Sequence, residues 1–133
     1  MAVGISEMNR CPFCSVDKTR IILENNTVMV IRDAFPVSPG HALIIPKRHI
    51  ASFFETNGGE RKAMLEALDQ AKEIFDRELK PDGYNIGINE GLTAGQTIMH
   101  LHIHLIPRYK GDSSDPRGGI RWIFPDKARY WKD

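Results

Sequence analysis

The segment MHLHIHLIPR (99–108) carries His100, His102 and His104, three of the chain's five histidines, each set one aliphatic residue from the next. Such alternation predicts a β-strand with the three imidazoles on one face and Leu101, Ile103 and Leu105 on the other. At a rise of about 3.3 Å per residue, neighbouring histidines stand about 6.6 Å apart and the outer two about 13 Å apart. Zinc takes each ligand nitrogen at about 2.0–2.1 Å, so two of the three could share an ion, whereas all three on one straight strand fit one poorly. Catalysis suits the pattern better. A neutral imidazole is a competent nucleophile near neutral pH, and its neighbours can orient it, stabilise its acquired charge or move a proton. Phosphorus is the matching electrophile, giving a phosphoramidate that water can cleave. TAGQT (93–97), just upstream, offers close backbone approach at Ala94-Gly95 and side-chain donors at Gln96 and Thr97. The bland alternative is a polar sheet face of hydrogen-bonded histidines preceded by a turn.

A second reactive stretch is CPFC (11–14), which holds the only two cysteines, Cys11 and Cys14. Two cysteines are too few for a disulfide scaffold, which leaves metal ligation, redox chemistry or two buried thiols. A glutaredoxin-like Cys-x-x-Cys needs a helix opening at its second cysteine in a βαβ setting. Here SVDKTRIILEN runs into a hairpin instead.

The elements that must position these groups follow from periodicity. RIILEN (20–25) and TVMVIRD (27–33) predict a hairpin turning at Asn25-Asn26, and HALIIP (41–46) a third strand entered through the rigid FPVSPG turn. Ser52 with Glu55 gives a capping-box pattern for a short helix. From about Gly59 to Lys80, Met64, Leu65, Leu68, Ala71, Phe75 and Leu79 recur at helical steps, until Pro81-Asp82-Gly83 stops the run. YNIGIN (84–89) and MHLHIHLI (99–106) predict the last strands. The order β-β-β-α-β-β implies an α+β domain, a mostly antiparallel sheet with one long and one short helix.

At 133 residues the chain is expected to form a single domain, with a core over about 11–112 and a tail over 113–133. A formal charge of +1 without a long basic run does not suggest a nucleic-acid surface. No segment has the apolar length of a membrane span or a signal peptide, so a cytoplasmic location is expected.

AGQTIMHLHIHLIPR resembles the signature of the histidine triad (HIT) nucleotide hydrolases and transferases, and PGHALIIPKRHI (39–50) is similar to that family's upstream segment. AGQT with PRYKGD looks closest to the fragile-histidine-triad branch, while NEG (89–91) matches the nucleoside phosphoramidase branch. The resemblance implies a five-stranded sheet that dimerises into a ten-stranded one. It implies that His102 attacks the α-phosphate of an adenosine nucleotide, that His104 serves the phosphate, and that His41 supports both. It places Asn89, Gly95, Gln96 and Thr97 at the phosphate, Asp33 at the ribose, and Phe13, Ile31 and Ala34 at the base, with plain core as the competing reading for Phe13 and Ile31.

Cys11, Cys14, His49 and His100 supply a Cys₂His₂ set, and the resemblance agrees, since some bacterial HIT proteins hold a structural zinc in this way. His100 would then be withdrawn from catalysis. Dinucleoside polyphosphates are the favoured substrates, with nucleoside phosphoramidates or phosphorolysis as alternatives. A nucleotide-binding sensor and a zinc or redox module are the competing classes. In the tail, Arg117 and Arg121 are candidate polyphosphate contacts and Trp122 a stacking surface, against a tail merely docked on the surface.

Overall fold

The computed structural model describes residues 10–133; the first nine, read above for a targeting segment, lie outside the described part. Five strands, β1 (Ile21–Glu24), β2 (Val28–Arg32), β3 (Ala42–Pro46), β4 (Gly83–Gly87) and β5 (Ile103–Arg108), form one sheet in the order β1-β2-β3-β5-β4. Every neighbouring pair is antiparallel. The β1–β2 turn is held by Asn25, whose Oδ1 accepts from the backbone N–H groups of Thr27 and Val28 at 2.8 and 2.9 Å. Asparagine is suited to such a turn because its short amide reaches its own backbone two residues on.

One long helix, α1 (Gly58–Glu78), packs on a single face of the sheet. Asn57 and Glu60 form a reciprocal capping box at its start. Met64, Ala67, Ala71 and Phe75 meet Val28, Val30, Ala42, Ile44, Leu101, Ile103 and Leu105 in the larger core. Full burial of each large aliphatic or aromatic chain contributes about 1.5–3 kcal/mol. The alternate residues Ile31, Leu43 and Ile45 point to the other face, where they pack with Cys11 and Phe13. The sheet therefore has a helix side and a cysteine side, and the histidines lie on the latter.

Three expectations need correction. The Ser52 segment is a three-residue 3-10 turn, Phe53–Glu55, and Ser52 caps it alone, by accepting from Phe54 N–H. The reciprocal box formed five residues later, where a long apolar helix could propagate from it. Leu65 and Leu79 stand 49% and 37% exposed, so the buried stripe of α1 is narrower than the periodicity suggested. Finally, β5 begins at Ile103, so His100 and His102 precede the ladder. The His100 carbonyl accepts from the His102 ring at 2.8 Å, which ties the chain locally just before pairing begins. Side-chain alternation nevertheless persists, because Leu101, Ile103 and Leu105 all reach the helix-side core.

Candidate active site and metal cluster

All five histidines converge on the cysteine side of the sheet, in two groups. His102 connects them. Its Nδ1 lies 2.8 Å from the His100 carbonyl, and a carbonyl only accepts, so Nδ1 carries the proton and Nε2 keeps its lone pair. The ring is 9% exposed, and Phe13 packs edge-on against it with centroids 5.1 Å apart.

The first group is a proton-ordered chain. The backbone N–H of Val37 donates to His41 Nδ1 at 3.1 Å, which makes that nitrogen an acceptor and puts the proton of neutral His41 on Nε2. That proton is then donated to His104 Nδ1 at 3.0 Å, with Asp33 Oδ2 alongside at 3.4 Å. It follows that neutral His104 bears its proton on Nε2. Burial, reinforced by repulsion from His102 and His41, pushes His104 down to about 4. Burial also lowers His41, against the opposing pull of Asp33. Both rings are thus held neutral near pH 7. His102 and His104 pack with centroids 5.1 Å apart, so a basic nitrogen and an N–H donor belong to adjacent rings.

Gly40 prepares this chain. Its φ of +89° lies in the left-handed region, and an added Cβ would stand 2.5 Å from Leu79 Cδ1 and 3.1 Å from Pro107. Glycine lets the turn come this close to Leu79, which caps the end of α1, and to β5 before His41 enters the sheet.

The second group is Cys11, Cys14, His49 and His100, whose ligand atoms all lie within 4.8 Å of one another. His100 Nε2 donates to the Pro46 carbonyl at 2.8 Å, leaving Nδ1 as a lone pair. That atom lies 3.4 Å from Cys11 Sγ, 3.6 Å from Cys14 Sγ and 3.1 Å from His49 Nδ1, and the last is 3.0 Å from Cys14 Sγ. Two thiols and two imidazole nitrogens at this spacing suit a tetrahedral cation with bonds of about 2.0–2.3 Å. Burial, then the neighbouring Cys11, raises the Cys14 thiol to about 11, and a bound metal would reverse that by stabilising the thiolate. Arg48, next to His49 in the chain, grips the buried Glu60 carboxylate at 2.7 and 2.9 Å.

Asp33, His41 and His104 are close enough to resemble a second metal set. Their hydrogen bonding argues against it, since Val37 N–H holds His41 in the tautomer whose Nε2 is already protonated.

The loop before the histidines is built around Gln96. Its carboxamide is buried, accepts from Gly91 N–H at 2.9 Å and donates to the Ala51 and Ile98 carbonyls at 2.9 and 3.1 Å. Gln96 therefore shapes the loop, while Asn89, Gly95 and Thr97 are exposed on it and Gly95 takes a φ of +94°. Ile31 is fully buried and Phe13 nearly so, both in the cysteine-side core, whereas Ala34 is exposed. The backbone groups of Val37, Pro46 and His100, which fix all three tautomers, left no mark in residue type.

A family model described as HIT domain matches residues 15–111. The chain belongs to the HIT domain family. A HIT-like protein of Mycoplasma genitalium is 38% identical over 104 residues, covering 75% of this chain and 74% of that one. A zinc-bound histidine triad family protein from Mycobacterium smegmatis superposes with a TM-score of 0.72 at 30% identity, covering 81% of each chain. The asymmetrical bis(5'-nucleosyl)-tetraphosphatase of Schizosaccharomyces pombe is 34% identical over 80 residues, 60% of this chain but only 44% of that protein. The HIT domain and its clustered histidines support hydrolase or transferase catalysis. The cysteine–histidine cluster is consistent with the structural zinc site of some HIT proteins. No helix among the described residues is long and apolar enough to cross a membrane.

In the tail, Arg117 is engaged by Asp115 and Asp133 and stacks on Trp131, while Arg121 donates to the Ala128 and Lys127 carbonyls. Both guanidinium groups are committed within the tail itself. Trp122 likewise donates to the Arg117 carbonyl.

Proposed function

We propose that this HIT protein is a nucleotidyl hydrolase or transferase that cleaves adenosine nucleotides at the α-phosphate, with His102 as nucleophile. The reading rests on one observation: the His100 carbonyl fixes the proton of His102 on Nδ1, so Nε2 presents its lone pair beside the His104 ring. His102 Nε2 bonds to the α-phosphorus, and the bond from phosphorus to the leaving oxygen breaks with its electron pair going to that oxygen. The imidazolium so formed keeps its Nδ1–H on the carbonyl. Water then bonds to phosphorus, the P–N bond breaks, and its electrons return to Nε2 as a water proton passes to solvent. Asn89, Gly95 and Thr97 face the phosphate from a loop that Gln96 shapes, Asp33 serves the ribose hydroxyls, and Phe13, with Ile31 behind it, backs the base.

His104 accepts at Nδ1 from His41 and stays neutral well below pH 7, so it stabilises the leaving oxygen by a hydrogen bond instead of giving up its proton. A phosphate leaving group is stable as an anion and requires no more. An amine leaving group requires a proton. This favours dinucleoside polyphosphates over phosphoramidates, in keeping with the tetraphosphatase relative.

A zinc ion held by Cys11, Cys14, His49 and His100 would supply structure, tying the segment that carries Phe13 to the sheet. A homodimer is the expected assembly; Ile86 on the edge strand β4 and Leu65 on α1, 50% and 49% exposed, would be covered in it. The test is to quench a diadenosine tetraphosphate reaction and look by mass spectrometry for an adenylyl group on the His102 peptide. An adduct in the wild type that vanishes in His102→Ala is expected; turnover unchanged in His102→Ala would refute the assignment.

A further inference from the structure

Alternate residues of a strand share a face, so the face of β5 that carries His104 continues through Ile106 to Arg108. Along it, between the turn before His41 and the edge strand β4, runs a cleft of about 300 Å³ lined by Val37, Ser38, Asn85, Ile106, Arg108 and Tyr109. That volume lies at the small end of ligand pockets. Tyr109 closes one wall by donating to the Pro39 carbonyl at 2.8 Å.

The polar groups of the cleft indicate what it can hold. Arg108 spends Nε and Nη2 on Asp112 at 2.8 Å each, and Nη1 on Asn85 Oδ1 at 2.6 Å. Its charge is met, so the cleft has little to offer a further anion. Asn85, with its oxygen taken by Arg108, keeps an NH₂ to donate. Ser38 Oγ is buried and, among the described residues, has no hydrogen-bond partner. A hydroxyl shut away from water without a partner is unfavourable, and a turn of the Ser38 side chain into the cleft would let a hydrogen-bonding ligand relieve it. Ile106 and Val37 add apolar surface. Together these features suit a neutral group with both an apolar body and hydrogen-bonding edges.

Its position suits the leaving half of the substrate. In the order β1-β2-β3-β5-β4, Asp33 follows β2 on one side of the His104 strand and Asn85 lies on β4 on the other. A nucleophile displaces its leaving group from the opposite side of phosphorus, so the two halves of the substrate diverge from His102. We infer that this cleft binds the far nucleoside of a dinucleoside polyphosphate, making it a determinant of substrate choice. The inference rests on the nucleotidyl-transfer reading above.

The experiment compares kcat/KM for diadenosine tetraphosphate with that for adenosine tetraphosphate, which has the same phosphate chain and no second nucleoside. The wild type should prefer the dinucleotide by about tenfold or more. Ile106→Trp, which fills the cleft, should erase that preference and leave adenosine tetraphosphate turnover unchanged. Ser38→Ala, a milder change that keeps the fold, should reduce the preference several-fold. Equal turnover of both substrates by the wild type overturns the inference, as does an equal loss on both in Ser38→Ala. Cleavage of neither would overturn the nucleotidyl-transfer reading itself, and this subsite with it.

Discussion

His100 and His104 lie four residues apart on the same side of the sheet, and burial is the first cause pushing each down to about 4, yet their surroundings suit them to different work. At His100 the Pro46 carbonyl fixes the proton on Nε2, so Nδ1 meets two thiols and a second imidazole with a bare lone pair. Converging lone pairs call for a cation. At His104 the corresponding nitrogen accepts a hydrogen bond from His41 Nε2–H, and the His41 tautomer is itself set by the Val37 amide. That chain is complete without a metal. The backbone partner of the remote nitrogen decides whether a histidine cluster gathers a metal or orders protons.

The sharpest way to break this comparison is a crossed pair of substitutions. His102→Ala should lower kcat/KM by on the order of 10⁴-fold while zinc per chain, measured by elemental analysis, stays unchanged. Cys11→Ser should abolish zinc binding and lower stability by about 4 kcal/mol where free metal exceeds its Kd a thousandfold. Loss of zinc in His102→Ala would show that the two groups are not separable.

Acid sharpens the contrast further. Because the folded His104 titrates near 4 and an unfolded histidine near 6.5, the unfolded state binds more protons between those values. Stability contributed by this residue is therefore intact above about pH 6.5 and declines as the pH falls towards 4, by up to about 3 kcal/mol. Denaturant melts across that window should show the decline in the wild type and not in His104→Gln; the same decline in both would show that His104 is not responsible.

The smallest effect should come from Gly40→Ala. The left-handed φ and the close approach to Leu79 predict a loss of about 1–3 kcal/mol. The Val37–His41 bond should loosen, visible as a changed His41 tautomer in ¹⁵N NMR. A variant with normal stability and tautomer would show that the turn is not what orders the proton chain.

Much of this was legible in residue order. Strand alternation places Leu101, Ile103 and Leu105 on one face and the histidines on the other, and the Cys-x-x-Cys with His49 and His100 marks the four residues that gather as a candidate metal cluster. The start of β5 was not legible, because a ring-to-backbone bond within the His100–His102 stretch ties the chain just before the ladder. Gln96 offered donors in the sequence, but its buried carboxamide spends them on the loop. Residue type offers Arg117 and Arg121 to phosphate, but in the fold the tail's own carboxylates and carbonyls take them. Composition reveals which groups exist; it does not reveal which are already occupied.

The bond that aims His102 ends on the main chain of His100, not on its ring. Any residue at that position supplies the same carbonyl. The first histidine could therefore be exchanged, and the proposed zinc site given up, with the orientation of His102 preserved, so that metal-holding and metal-free descendants of one architecture would share a single way of presenting the proposed nucleophile.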